Sequence, residues 1–206
     1  MKAVCHLVVF AAAVLGLGNP VFAQEAKTAA PARTHADDAA IARALENAMV
    51  PGEGQKKLEA MIGTFNVKIR TWVNPSQPPV ESQATSVSTW VLGNRYVQTM
   101  LSGYVMNEPF NGIGYIAYDN VRKTYQLAWM DSDSTAMTLY QGGFDAASKN
   151  AKLTGTTADP LTGQPSPLEM RMSLLDNGDH VSELWGQGSG KTLFKMMELR
   201  YSRTQK

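Results

Sequence analysis

The side chains best suited to chemistry gather where one stretch runs out, at Trp129-Met130-Asp131-Ser132 with Thr135 just beyond. Before it, Tyr125, Leu127 and Trp129 share one face and Thr124, Gln126 and Ala128 the other, the period-2 pattern of a half-buried strand. Carried forward, that phase turns Asp131 inward. A carboxylate on the core side of a strand costs free energy unless it is hydrogen-bonded or paired, so it marks a candidate site. Asp131, Ser132 and Thr135 therefore read as a polar cluster that orients a polar ligand group at the mouth of an enclosed space. The same residue types also shape turns by bonding local backbone, and both readings stand. Glu183, between Val181 and Trp185, reads as a second inward acid. Asp131 and Glu183 facing one substrate would be equipped for acid/base catalysis, whereas Glu183 paired with Arg95 or Lys195 would serve strand register instead. Trp90, Trp129, Trp185, Tyr115 and the pairs Met170/Met172 and Met196/Met197 suit either an adaptable apolar cavity or plain core. The candidate ligand contacts are thus Asp131, Ser132, Thr135, Trp129, Tyr115, Arg95 and Trp185.

Other chemistries lack their signatures. No His/Cys/Asp cluster has metal-ligand spacing, no Gly-x-Ser-x-Gly elbow is present, and no phosphate loop follows a strand. Neither a metal nor a cofactor is expected. Hydrolase, kinase and dehydrogenase readings are without support.

The elements that must position these residues begin after a leader. Met1-Lys2 precedes an apolar run from Leu7 to Leu17 and the small-residue signal Val21-Phe22-Ala23, which reads as a signal peptide (1–23) cleaved after Ala23, for a periplasmic or secreted product. The run is short of the roughly 20 residues of a membrane span. Cys5 lies inside the leader, so the mature chain is expected to hold no cysteine. It would carry 18 basic and 18 acidic residues, which gives no electrostatic footprint for nucleic acid. Oligomeric state is open.

Residues 24–36, rich in Ala, Thr and Pro, read as a tether, and 37–62 as one or two short helices: Asp37 and Asp38 start the first, Pro51-Gly52 ends it, and Gly63 ends the second. From 63 to 206 the chain reads as about ten consecutive strands with turn signals between them, Gly93-Asn94 among these as a two-residue hairpin. Mostly short connections and no intervening helix predict an all-β, antiparallel up-and-down barrel, with a sandwich as the alternative. Arg203, in phase with Leu199 and Tyr201, should lie over Phe65 and close one end. Gly112-Ile113-Gly114 and Gly142-Gly143 read as bulges or bends.

Gly63-Thr64-Phe65 resembles the Gly-x-Trp opening of the lipocalin and fatty-acid-binding group, with Phe for Trp, and Arg203 resembles the arginine that packs across that aromatic. Together with Gly93-Asn94-Arg95, Pro109-Phe110-Asn111-Gly112, Tyr118-Asp119-Asn120, Trp129-Met130-Asp131-Ser132, Asp159-Pro160 and Tyr201-Ser202-Arg203, these motifs resemble the DUF1579 family of exported bacterial proteins. That resemblance implies a lipocalin-like barrel and no known activity. The fold is also similar to the nitrobindin haem barrels, which place a ligating histidine near the C-terminal strands. Here the one histidine beyond the tether, His180, stands at a turn.

Three functions follow as expectations: a carrier that binds a small, largely apolar molecule inside the barrel, an enzyme working through Asp131 and Glu183, or a structural or protein-interaction barrel with a filled interior.

Overall fold

The computed structural model describes residues 35–145, 148–188 and 192–204; the expected signal peptide and residues 24–34 of the expected tether lie outside these. Helix α1 (His35–Met49) is followed by the single turn α2 (Glu53–Lys56) and a 3₁₀ turn over Lys57–Met61. Ten strands come next: β1 (Gly63–Thr71), β2 (Val80–Val91), β3 (Tyr96–Val105), β4 (Glu108–Asp119), β5 (Thr124–Asp131), β6 (Thr138–Phe144), β7 (Asn150–Ala158), β8 (Pro165–Leu174), β9 (His180–Gly186) and β10 (Phe194–Arg203). Each pairs antiparallel with its neighbour in sequence, and β1 pairs with β10 from Phe65↔Arg203 to Thr71↔Met197, so the sheet is a closed barrel without edges.

The up-and-down order gives the barrel two different ends. At one end β1 begins, β10 finishes, and the helical turns pack. Leu58 is fully buried there, the Tyr125 hydroxyl donates to Gly54 O at 2.7 Å, and Gln55 Nε2 donates to Tyr118 O at 2.9 Å. The Arg203 guanidinium stands 4.8 Å from the Phe65 ring centre and donates to Ile62 O at 2.7 Å, so it ties the last strand to the entry of the first, as its phase predicts. At the other end β5 finishes at Asp131 and β6 starts at Thr138.

Two turns depart from expectation. Gly93-Asn94 is not a two-residue hairpin: Val91 faces Tyr96, which leaves residues 92–95 in the loop. The two-residue turn is at Met106 and Asn107, with φ of 51° and 71°, the type I′ signature that matches strand twist. The glycines of β4 mark no bulge either. A Cβ at Gly112 would lie 2.3 Å from Trp129 Cζ2, and one at Gly114 2.7 Å from Trp129 Cε3, so both are bare to seat the indole from the neighbouring strand. The irregularity in the ladder lies between Lys195 and Met197, where the extra residue Met196 packs its sulfur over Gly186.

Candidate functional site

The barrel encloses a cavity of about 320 Å³ that runs from Met61, under the helical turns, to Asp131, Asp133 and Ser134 at the opposite end. That size falls at the lower end of ordinary small-molecule pockets. Its wall is mostly apolar, with Leu127, Trp129, Met170, Leu184 and Met197 facing inward from successive strands. The period-2 pleat explains the composition: β5 sends Tyr125, Leu127, Trp129 and Asp131 inward and Gln126 and Ala128 outward.

Asp131 thus has the inward phase that its strand predicts. Its Oδ2 accepts from Trp129 Nε1 at 2.8 Å and its Oδ1 from the Asp133 amide at 3.1 Å. The chain Gly112, Gly114, Trp129, Asp131 is therefore a support: bare glycines seat the indole, and the indole N–H orients the carboxylate. On β6, Tyr140 is 5% exposed, lines the same cavity, and has no hydrogen bond to its hydroxyl among the described residues. Burial, with the Asp131 charge adding to it, pushes the phenol up to about 12, so it remains a protonated hydroxyl.

Trp129 stands with Asp131, but the other sequence-derived candidates do not. Ser132 and Thr135 are exposed in the β5–β6 loop, where Ser132 Oγ accepts from the Asn111 amide at 3.1 Å and so shapes the turn. Tyr115 is on the outer face, its hydroxyl 2.5 Å from Gln98 Nε2. Arg95 sits at the β2–β3 loop and donates to the carbonyls of Leu92 and Gly93, both at 3.2 Å. Glu183 and Trp185 also face outward, because Ser182 and Leu184 are the β9 residues in the cavity wall. The phase of β9 misleads since its outer face is itself partly covered: Arg171 lies 4.0 Å over the Trp185 ring, and Glu183 pairs with Lys195 at 3.0 Å. An aromatic plate sheltered by charged side chains imitates a core position.

The carboxylates of Asp131 and Glu183 consequently lie on opposite sides of the wall. Sequence reasoning missed Asp133, Ser134, Thr138 and Tyr140, all of which line the cavity. Asp133 and Ser134 belong to a loop, where no periodicity operates. Tyr140 was accessible through the alternation Thr138, Tyr140, Phe144 on β6. His180 is buried at the helical end against Phe65 and Tyr201 and is absent from the cavity wall, so it presents no ligand atom to a group held there. Among the described residues, no three His, Cys, Asp or Glu side chains come together as a metal site, and no helix is long and apolar enough to cross a membrane.

The family model for proteins of unknown function termed DUF1579 matches residues 50–203, from the helical turns through the last strand. The chain belongs to this family. The match covers the barrel and the turns that plug it, so the residues of the cavity wall all lie within the matched segment. No curated protein matches. Among solved structures, Rv2717c from M. tuberculosis superposes with a TM-score of 0.55 at 13% identity, over 76% of this chain and 100% of that one. At that identity the likeness establishes the fold of this DUF1579 protein and nothing about its ligand.

Proposed function

We propose that this DUF1579 protein is an exported barrel that takes a small, largely apolar molecule into its interior, with the Asp131 end supplying the polar contacts. One observation carries the reading: the cavity of about 320 Å³ has an apolar wall with a few converging polar groups at one end, the usual construction of a small-molecule site. Packed interiors leave few voids larger than a water, so a space of this size inside a closed sheet asks for an occupant. Export rests on the leader and its small-residue cleavage signal.

Binding is tested with N-phenyl-1-naphthylamine, an uncharged dye that brightens in apolar surroundings. Wild-type protein should give a saturable rise. Met170→Trp, which fills the cavity, should weaken it by about tenfold or more, as should Leu184→Trp if the first variant folds poorly. No saturable signal in wild type, or equal affinity in folded variants, would remove the interior site. The same preparations, expressed with the native leader and recovered from the exported fraction, should begin at Gln24 by intact mass.

A further inference from the structure

The charges around the cavity specify a head group. Among the described residues of its wall, Asp131 and Asp133 are acidic and none is Lys, Arg or His. Among the described residues Asp131 is held by neutral donors alone, Trp129 Nε1 and the Asp133 amide, and these occupy two of the roughly four lone-pair positions that a carboxylate offers. No ion pair neutralises it among the described residues, although the outer face of the barrel pairs its acids repeatedly, Glu183 and Glu198 with Lys195 and Glu169 with Lys152.

Independently of the acids, Tyr140 lines the same space with its side chain 5% exposed, and its hydroxyl has no hydrogen-bond partner among the described residues. The oxygen is not one of the sealed, unpaired polar atoms of the interior, so it is open to the cavity and offers a ligand N–H a second acceptor beside Asp131. We propose that the cavity selects molecules with an apolar body and a cationic amine, whose ammonium N–H groups donate to the Asp131 carboxylate and to the Tyr140 oxygen. The inference rests on the interior-binding reading above and narrows it to a ligand class.

Physical reasons exclude the reverse polarity. A carboxylate-headed molecule would bring a further negative charge beside Asp131 and Asp133, in a wall with no cation to receive it, and would lose its hydration without recompense. A neutral alcohol would meet Asp131 through one neutral hydrogen bond, which is weaker than a charge-assisted one. The expected order is amine, then alcohol, then acid.

Decylamine, decanol and decanoate share one hydrocarbon chain and differ in the head, so calorimetric titration of each at neutral pH isolates the head group. Decylammonium should bind at least about tenfold more tightly than decanoate, with decanol between them. Asp131→Asn, verified as folded by its denaturant midpoint, should lose the preference of amine over alcohol. If that variant does not fold, Tyr140→Phe should narrow the same preference. Decanol or decanoate binding as tightly as decylammonium would overturn the amine assignment while interior binding stands on the dye result. So would a folded Asp131→Asn that keeps the full preference, or a protein that takes up the dye and none of the three. Failure of the dye as well would remove both readings.

Discussion

His180 shows what a single position costs and returns. It is 3% exposed, stacked on Tyr201 at 4.1 Å and edge-on to Phe65 at 4.8 Å, with the Arg203 charge acting on it, and its Nδ1 has no hydrogen-bond partner among the described residues. Burial first, and the Arg203 charge second, push its pKa down to about 4, against a smaller upward pull from Asp179. The unfolded chain protonates this group near 6.5, so between that value and about 4 the unfolded state holds a proton that the native state lacks. Stability is therefore unaffected by His180 above the window and is lost as pH falls through it. At pH 5 the loss should be about 2 kcal/mol relative to pH 7. Urea midpoints at both values should show it for wild type, and His180→Phe should flatten the difference. The lowered carboxylates Glu169 and Glu198 act in the same sense, but only below their ordinary value of 4.5. A slope persisting in the variant at pH 5 would assign the effect elsewhere.

The hairpin of β4 and β5 is the element on which the site depends. Its pairing sets Gly112 opposite Asp131 and Gly114 opposite Trp129, and the missing side chains give the indole its seat. A methyl at Gly112 would meet the far edge of a side chain and not backbone, so the ring can tilt away at modest cost. Gly112→Ala should accordingly lower stability by about 1 to 3 kcal/mol while freeing Asp131 from its indole N–H. A shifted Trp emission spectrum together with weaker dye binding is the expected pair of results. An unchanged spectrum with unchanged binding would show that the glycine platform does not hold the site. The opposite face of this hairpin, with Tyr115, Gln126 and Ala128, belongs to the exterior and should tolerate substitution.

At the scale of the whole molecule, closure depends on the two chain-distant strands, β1 and β10. Other pairings join neighbours in sequence, so this one alone crosses the length of the barrel. Arg203, Phe65 and Ile62 reinforce it at the helical end. On the outside, Glu198, with only 7% of its side chain exposed, gathers Lys195, Arg200 and Arg70 across β10 and β1. Truncation before Phe194 would open the sheet, exposing one edge on β1 and another on β9. Such a chain should lose cooperative unfolding and self-associate, as size-exclusion chromatography and urea titration would show. A truncated chain that stays monomeric with an unchanged urea slope would mean the other nine strands close without β10.

The Arg203 lid on Phe65 was legible from strand phase together with the resemblance of the Gly63-Thr64-Phe65 opening. Alternation and turn chemistry, both local properties, were sufficient to read about ten antiparallel strands, to favour closure over a sandwich and to set the inward phase of Asp131. They were sufficient because a pleat repeats every two residues and a short turn leaves the next strand nowhere else to pair. Only the tertiary structure decided which face of β9 is inside, since Trp185 under Arg171 presents the same pattern as a core aromatic. It alone brought Asp133 and Ser134 of a loop and Tyr140 of the next strand to the cavity that Asp131 enters. Barrel curvature determines which side chains converge across the interior and whether they fill it. That curvature depends on shear and on contacts between distant strands, which no stretch of sequence contains.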